Sequence, residues 1–364
     1  MSIKMFDYIK MYEPLREEIH EVIERVLMSG NLINGDETKA FEEEFAHSVG
    51  AKYCIGVTSG TTALHLALIG LGIGPGDEVI TVSNTCAPTV SAIILSGATP
   101  VLIDVNENDL LMDASLVESA ITSKTKAIIP VHLWGQIVDL ESLQKTIRNS
   151  NIHVIEDCAQ SQGGYYQNKH TGTIGDVGCF SFYPTKNLGA YGDAGAIVTN
   201  DEVVANRIRI QREYGYKTSN FSEVVGINGR ISEIQAAILR IKLKHLNNWI
   251  KLRNNNASHY LNNIKSNSIL LPITFSERVN AYHQFVIRCK NRDLVVSEFT
   301  KNKIEFGIHY PYPLHQMPPF KIFRAQQSLP ISENAAKEIL SIPVHESLNE
   351  DELIKIVEVI NNVQ

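Results

Sequence analysis

The chain has 364 residues, 44% of them hydrophobic and 20% charged, with a formal net charge of −7. This is the profile of a globular protein with room for two domains, and an acidic balance argues against nucleic acid, which needs a basic face. No apolar run approaches the ~20 residues of a membrane helix, and Met1-Ser2-Ile3-Lys4-Met5-Phe6-Asp7 opens no apolar signal segment.

Residues 14–29 are predicted helical, with Leu15, Ile19, Val22, Ile23 and Val26 at helical spacing. A second helix is predicted over 36–48. Short β-type runs then alternate with helical stretches. Strands are predicted over 53–57, 78–82, 99–103, 126–131, 152–155, 177–182 and 195–199, and helices over 61–71, 87–95, 113–121, 139–149 and 201–213. This alternation predicts an α/β fold with a mainly parallel sheet. A long helical stretch runs from about 231 to 263. Beyond it the chain changes character, with prolines at 272, 311, 313, 318, 319, 330 and 343 and shorter mixed elements. A domain boundary is expected in or near the long stretch, with a large domain over 1–245 and a small C-terminal α+β domain over 246–364.

The five cysteines are Cys54, Cys86, Cys158, Cys179 and Cys289. They are far apart and form no Cys-x-x-Cys pair, which points to reduced thiols in a cytoplasmic protein. No His-Glu-x-x-His occurs and the histidines lack ligand spacing, so no metal is expected. The run Gly70-Leu71-Gly72-Ile73-Gly74-Pro75-Gly76 fails as a dinucleotide fingerprint, because Pro75 or Asp77 stands where glycine is needed and the run follows a helix. Gly30 to Gly35 has P-loop spacing, but Asp36 replaces the lysine.

Lys186 is the most informative residue. It lies between Phe180-Ser181-Phe182-Tyr183-Pro184 and a run with glycines at 189, 192 and 195, surroundings unlike a solvated face. A lysine whose pKa is lowered by burial can form a Schiff base with an aldehyde cofactor. Pyridoxal 5'-phosphate (PLP) further needs a carboxylate for its pyridine nitrogen and a cradle for its phosphate. Asp157, after Val154-Ile155-Glu156, ends a strand of the buried type, where open parallel sheets bind ligands. An Asp that merely caps the next turn reads the same way locally. Ser59-Gly60-Thr61 follows a strand and opens a helix, the local form of a phosphate site, although N-capping alone also explains it. Ser181 is a further phosphate-donor candidate.

Together Ser59–Leu68, Glu156–Gly164, Asp176–Asn200 and Gly226–Ala237 resemble the sugar-nucleotide aminotransferases of the DegT/DnrJ/EryC1/StrS family, from about residue 30 to the C-terminus. The resemblance implies the PLP-dependent transferase fold of the aspartate-aminotransferase type. It implies that Lys186 carries PLP and shuttles protons, that Asp157 holds the pyridine nitrogen and that Gln160 contacts the ring hydroxyl. Gly60, Thr61 and Ser181 are expected to hold the phosphate, with Ser59 beside them. Asn228 is expected to reach the cofactor of a neighbouring subunit, in a homodimer with shared active sites. The family usually stacks an aromatic residue over the ring where this chain has Cys86, so stacking is weaker or comes from elsewhere.

The implied reaction moves the amino group of L-glutamate, through pyridoxamine phosphate, to a nucleotide-linked keto sugar. The run Tyr183–Gly195 is closer to members acting at carbon 3 of dTDP-6-deoxyhexoses than to carbon-4 enzymes, which remain the alternative. The amino sugars so made feed O-antigen and other glycans. Tyr183, Arg230, His309 and Tyr310 are candidate sugar or nucleotide contacts. Another PLP reaction on the same fold, a regulatory scaffold and a nicotinamide oxidoreductase are the rival readings.

Overall fold

The structure is a computed structural model that describes residues 2–321 and 328–363. Residues 1, 322–327 and 364 of the two expected domains lie outside the described residues.

Seven strands form the central sheet: β1 (Tyr53–Val57), β2 (Glu78–Val82), β3 (Thr99–Ile103), β4 (Thr125–Ile129), β5 (His153–Asp157), β6 (Val177–Ser181) and β7 (Gly195–Thr199). Their order across the sheet is β1-β7-β6-β5-β4-β2-β3. All run parallel except β7, which pairs antiparallel with both β1 and β6. The exception follows from the chain path. The segment after β6 makes no helical crossover; it loops past Lys186 and returns directly as β7, and a direct return is antiparallel. The strands are buried along nearly their whole length because helices cover both faces, so they read as continuous apolar runs.

The helix Gly60–Gly70 is apolar on all sides, as a helix enclosed by its neighbours must be. Its side chains share a core with Ile55, Ile129, Ile155 and Ile197 from the sheet. The predicted long helix is two helices, Glu233–Leu243 and Leu246–Asn263, broken at Lys244–His245. Leu246 and Ile250 pack with Phe41, Phe180 and Phe182, whereas Ala257 and Tyr260 belong to a second core. That core also contains a three-stranded antiparallel sheet of Ile269–Leu270, Phe285–Cys289 and Ile339–Ile342. The helices Arg292–Lys301 and Glu350–Asn361 cover it. Ile3, from the N-terminus, is buried in the same core and bridges to Ile304.

No helix among the described residues is long and apolar enough to cross a membrane.

Candidate active site

The carboxyl ends of β1, β2, β4, β5 and β6 open onto one cavity of about 380 Å³. Because β7 is antiparallel, its amino end, at Ala194, closes the same edge. The opposite wall comes from two segments of the second core region, His283–Gln284 and His309–Tyr310. Of the residues singled out from sequence, Ser59, Gly60, Thr61, Cys86, Asp157, Gln160, Ser181, Tyr183, Lys186, His309 and Tyr310 all line this cavity.

One end is a helix N-terminus. Ser59 is extended and caps the helix Gly60–Gly70, its Oγ accepting from the Thr62 N–H at 3.1 Å. Capping and anion binding coexist here. The cap satisfies Thr62, while the N–H groups of Gly60 and Thr61 have no carbonyl within the helix to donate to. Those two N–H groups, the hydroxyls of Thr61 and Ser181 and the positive end of the helix dipole can hold a phosphate. A Cβ on Gly60 would lie 2.7 Å from the Ser181 Cβ. Glycine is therefore what lets the β1 and β6 loops converge into one narrow cradle.

Asp157 forms the floor. It is 4% exposed; its Oδ2 accepts from the Thr89 hydroxyl at 2.9 Å and its Oδ1 from the Ala159 N–H at 3.1 Å. Burial raises its pKa, and the hydrogen bonds from Ala159 and Thr89 offset only part of that. Such a carboxyl gains most from a cation placed against it. Lys186 is half-buried, yet desolvation of its amine by the surrounding walls brings its pKa down to about 8, with Cys86 and Asp157 acting in the opposite sense. Its loop is held firmly: the Asn187 amide donates to the Ala281 carbonyl at 2.8 Å, and the buried Lys242 ammonium donates to the Gly189 carbonyl.

Gln160 links the two walls. Its Oε1 accepts from the Trp134 N–H at 2.6 Å, and its Nε2 donates to the Tyr310 hydroxyl at 3.2 Å. The Tyr310 hydroxyl also sits beside Cys86, so a ring does stand near the position where the family places its aromatic residue. His309 is oriented by Ser341, at 2.9 Å from its Nδ1, and burial lowers its pKa to about 4, so it is neutral. Tyr183 stands at the rim, 53% exposed.

Asn228 and Arg230 are the exceptions among the predicted residues, since neither lines the cavity of its own chain. Glu213 and Tyr214 hold the Arg230 guanidinium, at 2.7 Å and 3.1 Å, and its Nε donates to the Asn228 Oδ1 at 3.0 Å.

Sequence reasoning passed over Thr89, His283 and Gln284. Thr89 had a weak local signal, a hydroxyl in the first turn of a helix that starts at the sheet edge. The other two had none, because a fold-wide approach brings them in. Glu156 points away from Asp157, as neighbours on a strand do. It bonds His132 at 3.0 Å and accepts the N–H groups of Gly172, Ile174 and Gly175. Burial alone would raise its pKa, but His132 and those N–H groups outweigh it and hold the carboxyl below its usual range. The Val138 N–H donates to His132 Nδ1, so Nε2 carries the proton toward Glu156. Cys158 lies within 4.8 Å of this pair. Its thiol is pushed up by burial and then by Glu156, which makes it a poor metal ligand. This trio therefore reads as the structural support beneath the Asp157 strand.

A buried carboxyl, an amine of lowered pKa and an anion cradle within one cavity fit a phosphorylated pyridine aldehyde. Comparison with known proteins agrees. Residues 13–361 match the model of the DegT/DnrJ/EryC1/StrS aminotransferase family. A dTDP-3-amino-3,4,6-trideoxy-alpha-D-glucose transaminase of Micromonospora megalomicea is 40% identical over all of this chain and 99% of its own. A dTDP-3-amino-3,6-dideoxy-alpha-D-galactopyranose transaminase of Aneurinibacillus thermoaerophilus is 42% identical over 95% of both chains. The crystal structure of S. venezuelae DesV in complex with a ketimine intermediate superposes with a TM-score of 0.96, at 39% identity, covering 99% of this chain and 98% of that one. The match begins before residue 30, where the sequence motifs placed it, and takes in the N-terminal helix Arg16–Ser29. The chain belongs to the DegT/DnrJ/EryC1/StrS aminotransferase family and is a PLP-dependent sugar-nucleotide aminotransferase.

Proposed function

We propose that this protein transfers the amino group of L-glutamate to carbon 3 of a dTDP-linked 3-keto-6-deoxyhexose. Full-length similarity to two transaminases named for 3-amino dTDP sugars carries the reading. The run Tyr183–Gly195, which forms the Lys186 loop, supports it. The product would serve glycan assembly in the cytoplasm, O-antigen of lipopolysaccharide being one destination.

When bound, PLP supplies an aldehyde that condenses with amines and a ring that delocalises the electrons of a deprotonated carbon. The protein supplies the rest. The N–H groups of Gly60 and Thr61, with the Thr61 and Ser181 hydroxyls and Ser59 beside them, would hold the phosphate. Asp157, steadied by Thr89 and Ala159, would pair with the pyridine nitrogen, and Gln160 would meet the ring hydroxyl. Cys86 and Tyr310 would border the ring. Lys186, with a pKa of about 8, is suited to take a proton from the donor's α-carbon and return it at neighbouring positions near neutral pH. Tyr183, His309 and Tyr310 would contact the acceptor.

We further propose a homodimer with shared sites. Exposed apolar side chains support it: Leu27 and Met28 end the helix Arg16–Ser29, Leu32 and Ile33 follow it, and Phe221, Val224 and Val225 lie near Asn228 in the chain. Asn228 and Arg230 would then serve the partner's cavity rather than their own. We place the domain boundary before Leu246, at the break in the long helical stretch, with Ile3 packing across it.

The test is to load the protein with pyridoxamine phosphate, offer dTDP-linked 3-keto and 4-keto 6-deoxyhexoses separately, and identify the amino sugar by NMR. An amine at carbon 3 is expected. An amine only at carbon 4 would overturn the position while keeping the chemistry, and no amine from either would overturn the dTDP-sugar reading.

A further inference from the structure

The far wall of the cavity holds two polar side chains that the account above leaves idle. His283 and Gln284 are 9% and 8% exposed, and both line the cavity. His283 Nδ1 and Gln284 Oε1 are buried without a hydrogen-bond partner among the described residues. Buried polar atoms are nearly always paired, and the exceptions gather where a ligand or strain accounts for them. Of the residues with such atoms, only these two line the cavity among the described residues.

Their backbone is tightly built. The Ala281 N–H donates to the Gly135 carbonyl at 2.8 Å, and the Gln284 N–H to the Trp134 carbonyl at 3.1 Å. Arg253 donates to the carbonyls of Tyr282 and His283, at 3.1 and 3.3 Å. Tyr282 and Trp134 adopt left-handed backbone, with φ of 42° and 61°. Gly135, at φ 85°, would bring a Cβ to 2.8 Å from the Tyr282 and His283 nitrogens and 2.9 Å from the Gln160 carbonyl. Left-handed backbone at bulky residues costs energy and persists only where the surroundings enforce it, typically at binding sites. Here it presses the segment 281–284 against the turn 133–136, and both His283 and Gln284 line the cavity.

The chemistry of this wall is neutral. Burial holds His283 well below its usual pKa, and Lys186, Arg253 and His309 add to the effect. Gln284 carries no charge, and among the described residues Lys186 is the only Lys or Arg that lines the cavity. A carboxylate seeks a cation; unpaired neutral donors and acceptors suit hydroxyl groups.

We propose that His283 and Gln284 form the subsite that grips the ring hydroxyls of the acceptor sugar, and so determine which keto sugar is accepted. The inference rests on the sugar-aminotransferase reading of this cavity, and it deepens that reading by naming a wall that reads the sugar separately from the nucleotide and the amino donor.

The experiment compares His283→Phe and Gln284→Met, which keep size and remove polarity, with the wild-type holoenzyme. The donor half-reaction is followed by absorbance after adding L-glutamate. Acceptor binding is measured by calorimetry on the pyridoxamine phosphate form, using dTDP alone and the dTDP-amino sugar the wild type makes. Loss of hydrogen bonds to the ligand predicts about 10-fold weaker amino-sugar binding for each variant. It also predicts unchanged dTDP binding and a donor rate within about 3-fold. Equal loss in the donor half-reaction would overturn the proposal in favour of a contact with glutamate. Unchanged amino-sugar binding in both variants would overturn it outright. Should His283→Phe lose its cooperative thermal transition, Gln284→Met alone decides, by the same two readings. If the wild type converts neither 3-keto nor 4-keto dTDP sugar, the substrate reading has failed, and the wall is tested with the nucleotide sugar the enzyme does accept.

Discussion

The two walls of the cavity are built in different ways. The sheet-edge wall is made of short contiguous motifs, each following its own strand: Ser59–Thr61 after β1, Asp157 at the end of β5, Ser181 and Lys186 after β6. Ser59 is fixed by its cap and Asp157 by a backbone N–H and a hydroxyl, and the Lys186 loop is tied down at Asn187 and Gly189. The opposite wall, His283, Gln284, His309 and Tyr310, is carried in by segments whose positions depend on the second core and on the strained turn at Trp134–Gly135. The first wall carries the residues proposed to hold the cofactor and the second those proposed to meet the acceptor, and hydrogen bonds from Gln160 to Tyr310 and from Asn187 to Ala281 tie the two together.

Substitutions should expose that division. The largest loss is expected from Lys186→Ala, which removes the proton-carrying amine: turnover should fall by at least about 10³-fold in both half-reactions, measured as 2-oxoglutarate release and amino-sugar formation. A drop confined to the acceptor half-reaction would contradict the role. The pH dependence sharpens the same point. The neutral amine accepts the proton, so the donor half-reaction rate should rise about tenfold per pH unit toward a pKa of about 8 and level off above it. A rate that is flat between pH 6 and 9 would show that another group carries the proton.

Asp157→Asn comes next. Replacing the carboxylate by an amide should slow both half-reactions by roughly 10²–10³-fold and release cofactor on dialysis, followed by absorbance. His309→Ala on the other wall and Tyr183→Phe at the rim should raise the acceptor KM by about 10-fold and leave the donor half-reaction alone. If the acceptor KM does not move, those two residues are not acceptor contacts. The smallest effect is expected from Thr89→Val, which removes one hydrogen bond, at 2.9 Å, to Asp157 and leaves that from Ala159: cofactor affinity should fall about 5-fold while acceptor specificity stays the same.

The same division explains how much could be read from the chain. The strands over 53–57, 78–82, 99–103 and 195–199 and the helix over 87–95 fall on the observed elements, because short apolar runs bounded by turn residues are local signals. β5 runs two residues further than its apolar pattern, to Asp157, since Glu156 is stabilised inside the protein by His132 and by backbone from 172–175. The break at Lys244–His245 carries no glycine or proline, and the helix after it runs from one core, at Leu246, into the other, at Tyr260.

The sequence by itself determined the α/β class, the family and the sheet-edge chemistry, because a cap, a strand-end acid and a lysine between aromatics and glycines are legible wherever they occur. Only the tertiary structure decided that β7 returns antiparallel to close the cavity edge, that Asn228 and Arg230 do not line their own cavity, and that His283 and Gln284 line the cavity with Lys186. Those outcomes depend on contacts between segments far apart in the chain, which no local pattern encodes.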